Sequence, residues 1–134
     1  MKKTLTLICA ILMLSTPAFA IDCAEANGIT LKGNNGTSTY CRSRLPMKNW
    51  WSALGWCQSI GQRPVHPIED CACTGEKCPT AVSACPNIRG IGDMANAWTG
   101  SPHKTGNAYV IEISTGSVSS VVRTAGNPFA LCKH

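Results

Sequence analysis

The sequence predicts a small, disulfide-rich α+β domain in which one main helix packs on a small antiparallel sheet. One amphipathic helical segment is followed by several short β-prone runs that turn residues separate. Eight of the nine cysteines lie after an N-terminal export signal. An even number of cysteines in a small exported domain indicates a framework of disulfides, here four.

The first twenty residues have the pattern of a secretory signal peptide. Lys2 and Lys3 precede an apolar run of ten residues, and Ala18-Phe19-Ala20 supplies a small-residue cleavage site. The apolar run is too short to span a bilayer, which needs about 20 such residues. We therefore predict cleavage after Ala20 and a protein that is secreted, periplasmic or held at the cell surface.

Residues 21–134 have the length of one domain. Ten basic and seven acidic residues give this part of the chain a net charge of +3. Because the charge is mild and scattered, we expect neither nucleic acid as a partner nor insertion into a membrane. Arg42, Arg44 and Lys48 cluster ahead of the helix, where we expect a solvated surface.

An N-terminal hairpin is predicted first. Residues 28–32 and 37–40 are β-prone and flank a Gly-Asn-Asn-Gly turn. Cys23 and Cys41 border this hairpin and could be bonded to each other.

The main helix is predicted over residues 50–60. Four residues recur at helical spacing on one face: Trp50, Ala53, Leu54 and Cys57. The Asn49 side chain can cap the first turn, because its oxygen can accept from an unpaired N–H. Gly61 suits the left-handed residue that ends a helix, and Pro64 prevents continuation.

The helix also shows a second spacing, that of Trp50, Ala53, Cys57 and Gly61. It resembles the first helix of C-type lectin-like domains, in which Trp, Ala, Cys and Gly recur at these intervals. In that family the helix cysteine bonds to a cysteine in the last strand, so the resemblance implies a bond from the helix to Cys132. The resemblance covers residues 23–132. The family usually has an aliphatic residue where this chain has Pro64.

Four further cysteines follow the helix: Cys71, Cys73, Cys78 and Cys85. Their thiolates, together with His66, could hold zinc in a tetrahedral site. The spacing, however, does not form two Cys-x2-Cys knuckles, and exported cysteines are normally oxidised. We therefore expect two local disulfides, and no metal or other cofactor. The sequence does not determine which of the four bond to each other.

The second half of the chain predicts antiparallel strands. Residues 97–99 form a short β-prone run, and residues 100–107 read as a polar turn. Residues 108–114 alternate between two sides, and the runs 117–123 and 129–132 follow after short turns. Three successive runs of this kind predict an antiparallel meander with one face on the core.

The calcium site of sugar-binding members is absent from the sequence. Those members carry Glu-Pro-Asn or Gln-Pro-Asp and a later Trp-Asn-Asp, and none of these occurs here. Calcium takes about six to eight oxygens, several of them from carboxylates. The polar stretch after Trp98 contains no carboxylate. The resemblance therefore implies a compact, calcium-independent member.

We predict that the protein is not an enzyme. Glu69 and Asp70 are adjacent in a predicted loop, where a solvated pair is expected rather than a glycosidase pair. The three histidines lack an identifiable nucleophile partner, and every cysteine after the signal has a predicted disulfide role.

The predicted function is that of an exported binding module, which recognises a protein or glycan at a cell surface in adhesion or recognition. Exposed aromatic rings beside hydroxyl and amide groups suit such contacts. The candidate ligand-binding residues are Trp51, Trp98, Ser101, His103 and Asn107. Trp98 also resembles a core tryptophan of the family. The alternatives are a periplasmic structural or inhibitory protein, a minor subunit of a surface appendage and, with least support, a secreted hydrolase. The oligomeric state is not predicted.

Overall fold

The computed structural model describes residues 21–71, 84–93 and 95–134, and there it has the predicted α+β class. The elements are β1 (Gly28–Lys32), β2 (Thr39–Ser43), α1 (Trp50–Ser59), β3 (Arg63–Pro64), α2 (Pro67–Asp70), β4 (Asn96–His103), β5 (Asn107–Glu112), β6 (Ser117–Val122) and β7 (Phe129–Lys133). The predicted signal peptide, Cys73 and Cys78 lie outside the described residues. Within those residues no helix has the length and apolar character needed to cross a membrane.

The strands form one mixed sheet, in the order β1-β2-β7-β4-β5-β6, with β3 also pairing with β7. Neighbouring strands are antiparallel except β4 and β7, which run parallel. The sheet is thus larger than predicted, and it is not purely antiparallel. The predicted meander is wrong at its last strand, because β7 leaves β6 and inserts between β2 and β4.

The composition of β7 explains its central position. Ala130, Leu131 and Cys132 are all buried, so this strand is covered on both faces. A continuous apolar run of this kind suits the middle of a sheet better than an edge, where one side would meet water. The short turns before it favour a place beside β6, as in a meander, but burial of both faces fits the middle of the sheet.

The sheet separates two apolar clusters. Along β5, Ile111 faces one cluster with Leu131 and Ile88, while Val110 faces the other with Ala130 and helix α1. This follows from the alternation of side chains along a strand, which sends successive residues to opposite faces. The two faces of the sheet therefore have different surroundings, because α1 covers only the face to which Val110 points.

Helix α1 begins and ends where the sequence predicts. The Asn49 Oδ1 accepts a hydrogen bond from the Ser52 N–H at 2.8 Å, and Gly61 has a φ of +71°. Trp50, Ala53 and Cys57 are buried, as their spacing predicts. The Trp50 ring N–H also donates to the Thr99 carbonyl at 2.7 Å, which ties the helix to β4.

Three disulfides link the described residues. Cys57 in α1 bonds to Cys132 in β7, the pairing that the resemblance implies. Cys23, ahead of β1, bonds to Cys41 within β2. Cys71 bonds to Cys85, which rules out a zinc site that uses all four thiolates of the cysteine-rich segment.

Asp70 is a buried ionic centre and not part of a solvated pair. Its carboxylate accepts hydrogen bonds from the Arg63 guanidinium at 2.6 and 2.7 Å, from Lys133 Nζ at 3.0 Å and from the His66 N–H at 2.8 Å. The side chain is only 1% exposed, whereas that of Glu69 is 64% exposed. The expectation of solvation is therefore wrong for Asp70, which joins α2 to β3 and β7.

Arg42 likewise departs from the solvated cluster that the sequence predicts. Its guanidinium is buried and lies 4.7 Å from the centre of the Phe129 ring. Asp93 is 3.7 Å from the same guanidinium. Arg44 and Lys48 are exposed, as expected. Arg42 is buried because it lies inside β2, whereas Arg44 and Lys48 lie in the segment that connects β2 to α1.

Candidate functional site

A bulge in β4 shapes the candidate site. Residues 99–101 of β4 stand opposite the single residue Tyr109 of β5. Thr99, which is buried, fixes this bulge: its hydroxyl donates to the Tyr109 carbonyl at 2.9 Å and accepts from the Ser101 N–H at 3.2 Å. Bulges re-aim side chains and are common beside functional sites.

The bulge places Ser101 beside His66. The Ser101 hydroxyl oxygen lies 3.1 Å from His66 Nδ1. Gly100 allows this approach, because a Cβ at that position would overlap His66 Cε1 and lie 2.8 Å from Nε2. The Gly100 N–H also donates to the Val65 carbonyl at 2.8 Å, which fixes the segment that carries His66.

Replacing Gly100 by alanine is expected to displace His66 and to destabilise the fold by about 1–3 kcal/mol, the usual cost of overpacking. Thermal or urea unfolding measures this loss, and the His66 ring signals in NMR report the displacement. Gly55→Ala is the matched control. Gly55 lies in α1 with open space around it, so alanine should stabilise the protein by about 0.5–1 kcal/mol. Equal effects of the two substitutions would contradict the close contact at Gly100.

Two rings form the aromatic part of the site. The centres of the His103 and Tyr109 rings are 4.5 Å apart, with a tilt of 43° between the ring planes. Asn107 pairs directly with His103 across the β4–β5 turn, and all three side chains are half-buried. Asn107 and Tyr109 share a face because they are two residues apart on one strand.

We name this assembly the bulge surface, which consists of His66, Ser101, His103, Asn107 and Tyr109. Three of the predicted ligand-binding residues, Ser101, His103 and Asn107, come together there. His66, which the sequence suggests only as a possible zinc ligand, and Tyr109 are not among the predicted ligand-binding residues. The alternation that groups Tyr109 with the core residue Ile111 suggested only a core role, and nothing in the sequence predicts the bulge.

The two predicted tryptophans lie elsewhere. Trp51 is 53% exposed and packs edge-on against Trp50, with ring centres 5.8 Å apart. It belongs to α1, which covers the face opposite Tyr109. Trp98 is 1% exposed and lies in the core between α1 and the sheet. The prediction of a ligand contact for Trp98 is therefore corrected, since its ring cannot meet a ligand while it is buried.

The bulge surface offers polar groups of three kinds. It provides two hydroxyls, an amide and two imidazoles, but no carboxylate, so it does not supply the oxygens that calcium prefers. Across the described part of the chain, no three His, Cys, Asp or Glu side chains are grouped closely enough to hold a metal ion.

The Ser101–His66 contact also has the geometry of a nucleophile next to a base. In such sites a third group normally orients the base. Among the described residues, no carboxylate bonds to the His66 ring; Asp70 contacts only the backbone N–H of that residue. The contact therefore explains how the segment before α2 attaches to β4, without completing a catalytic triad.

A second, polar cleft of about 480 Å³ lies between the β1–β2 turn and α2. Its amide groups are already used by the fold. The Asn34 amide donates to the carbonyls of Pro86 and Arg89, both at 2.7 Å. The Asn87 side chain bonds to the Tyr40 hydroxyl and to the Asn35 N–H, also at 2.7 Å. These side chains hold loops together, so the cleft is a weaker candidate than the bulge surface.

Comparison with known proteins identifies no relative: no protein-family model, no curated protein and no solved structure matches this chain.

Proposed function

We propose that this chain is an exported, calcium-independent recognition module of the C-type lectin-like type, and that its bulge surface binds a glycan or a protein at a cell surface. One observation carries the proposal. The His103 and Tyr109 rings lie side by side at the end of the sheet, Asn107 pairs with His103 across the turn, and Ser101 lies two residues before His103 on β4.

The chemistry of the bulge surface favours a neutral glycan. Sugar rings have apolar faces that pack on aromatic rings, and their hydroxyls exchange hydrogen bonds with neutral polar groups. The five residues include no Lys or Arg, so the surface itself provides no fixed positive charge for an acidic sugar. Half-buried rings also keep their positions before binding, which reduces the entropy that binding costs.

Two features support the lectin-like assignment. Trp50, Ala53, Cys57 and Gly61 keep the family's spacing, and three of them are buried in α1. The disulfide from Cys57 to Cys132 joins that helix to the last strand. The three disulfides also suit an oxidising compartment, as an exported protein requires.

A glycan array probed with the oxidised protein, with and without EDTA, tests the proposal. We expect binding to neutral glycans, with the same signal in EDTA. A signal that EDTA abolishes would contradict the calcium-free mechanism. Turnover of ester or cell-wall substrates, abolished by His66→Ala, would instead favour a hydrolase that uses the Ser101–His66 contact.

The substitution His103→Ala is expected to weaken binding of the strongest array glycan roughly tenfold or more, because it removes one of the two rings. His134→Ala is the matched control, since His134 is exposed at the C-terminus. Surface plasmon resonance gives both dissociation constants, and thermal unfolding shows that both variants fold. If the two variants bind equally well, the bulge surface is not the site.

A further inference from the structure

We propose that two copies of this chain pair through strand β6, so that their sheets join edge to edge across a twofold axis. This inference is independent of the proposed ligand. Three features of β6 support it: its position in the sheet, its composition and the register in which it can pair with itself.

The position of β6 leaves one edge open. It is the last strand of the sheet order, and within the described residues its only neighbour is β5. The Arg123 N–H donates to the Gly106 carbonyl at 2.8 Å, on the β5 side. Backbone groups alternate along a strand, so the N–H groups of Val118, Ser120 and Val122 point to the open edge.

The composition of β6 does not protect that edge. The strand is Ser-Val-Ser-Ser-Val-Val, six residues without a charge or a proline, and its register with β5 is continuous. Natural proteins usually block exposed edges with lysine, proline, bulges or very short strands. The opposite edge strand, β1, ends in Lys32 and follows Asn27, whose φ is +58°. β6 therefore has the features of an edge that is paired in the working protein.

A second copy of β6 fits this edge. With the twofold axis at Ser120, Val122 of each copy, which is 55% exposed, lies opposite Val118 of the other. Arg123 of one copy then lies opposite Ser117 of the other, and Ser117 pairs with Glu112 on β5. In this register Arg123 meets only the neutral Ser117, so no like charges stand opposite each other. Like charges directly opposite each other would destabilise a sheet, whereas the pairing of Val122 with Val118 is of an apolar kind that stabilises one.

The pairing also fixes how the bulge surfaces are arranged. Ser120 pairs with Tyr109 and shares its face of the sheet. Because the axis is perpendicular to the joined sheet, both bulge surfaces lie on one side of the dimer. A dimer of this kind can hold two ligand groups on one target surface, which raises the overall affinity without new contacts.

Sedimentation velocity over a concentration series tests the pairing. The oxidised wild-type protein is expected to approach the dimer mass as its concentration rises. Ser120→Lys puts two positive charges face to face at the axis and should raise the dissociation constant roughly tenfold or more. Thr30→Lys, in the other edge strand β1, is the matched control and should behave like the wild type. Equal thermal stability of both variants shows that they fold.

Three results would overturn the proposal: a monomeric wild type at every concentration, an unchanged dimer in Ser120→Lys, or the same loss in Thr30→Lys. A short bismaleimide provides an independent test of the register. It should cross-link two copies of Ser120→Cys into one covalent dimer and leave Thr30→Cys monomeric. A cross-linked Thr30→Cys dimer, or no cross-linking in either variant, would likewise contradict pairing through β6.

Discussion

Replacing both Cys57 and Cys132 by alanine is expected to lower the free energy of unfolding by about 4.5 kcal/mol. The bond joins residues 75 positions apart, and in the chain-entropy model a loop of that length restricts the unfolded chain by about this amount. Both cysteines are buried, so alanine leaves no polar atom without a partner. Urea unfolding of the wild type and the double variant measures the difference.

The Cys23–Cys41 bond provides the matched control. It is also buried but spans only 18 positions, so the corresponding double alanine variant should lose about 3 kcal/mol. If loop length sets the contribution, the Cys57–Cys132 bond must contribute more to the free energy of unfolding than the Cys23–Cys41 bond. If the loss at Cys57–Cys132 were equal to or smaller than that at the hairpin, the helix would not depend on this bond for its attachment to the sheet.

Asp70→Asn is expected to remove about 2 kcal/mol of stability at neutral pH, and this loss should disappear near pH 2. Burial alone would raise the pKa of Asp70. Hydrogen bonds from Arg63, from the His66 N–H and from Lys133 outweigh that effect and lower the pKa from 3.8 to about 2. A carboxylate with a lowered pKa contributes stability above its unfolded-state pKa, and this contribution is lost as the pH falls through the folded-state value.

Urea unfolding at a series of pH values checks this prediction. The wild type should lose stability between about pH 4 and pH 2, and Asp70→Asn should lack that part of the pH dependence. Glu69→Gln is the matched control, because Glu69 is mostly exposed and lies 3.7 Å from Arg63. We expect it to change stability by less than about 0.5 kcal/mol. Parallel pH curves for the wild type and Asp70→Asn would show that the carboxylate does not stabilise the fold in this way.

Features set by neighbouring residues could be predicted from the sequence. Helix α1 has its apolar spacing, its Asn49 cap and its Gly61 end within thirteen residues, so its limits follow from local chemistry. The strands β1, β5, β6 and β7 were likewise predicted to within two residues at each end. Their alternation or apolar character is a property of the strand itself.

Features set by distant contacts could not be predicted in the same way. The position of β7 between β2 and β4 depends on burial of both its faces, and several sheet orders would satisfy the same local pattern. Asp70 looks solvated in the sequence because its partners Arg63 and Lys133 come from two strands outside its own helix, β3 and β7. The bulge at residues 99–101 depends on the hydrogen bond from Thr99 to β5, so residues 100–103 of the predicted polar turn continue as strand, and the turn itself is shorter.

The candidate site likewise combines residues that stand together in the sequence with residues that only the fold brings together. Ser101, His103 and Asn107 stood out because they follow one another in a polar stretch. His66 is 35 positions away from Ser101 in the chain, and only the fold brings the two together. Trp98 was included for its residue type, although its position on the helix-covered face of β4 makes it part of the core.

Amide chemical-shift mapping of the oxidised protein with the strongest neutral glycan from the array, in EDTA, tests the recognition site most directly. The account predicts that the largest shifts fall on Ser101, His103, Asn107 and Tyr109, with small shifts elsewhere. Shifts centred on Trp51, or on the cleft lined by Asn34 and Asn87, would contradict the assignment of the bulge surface as the site of recognition.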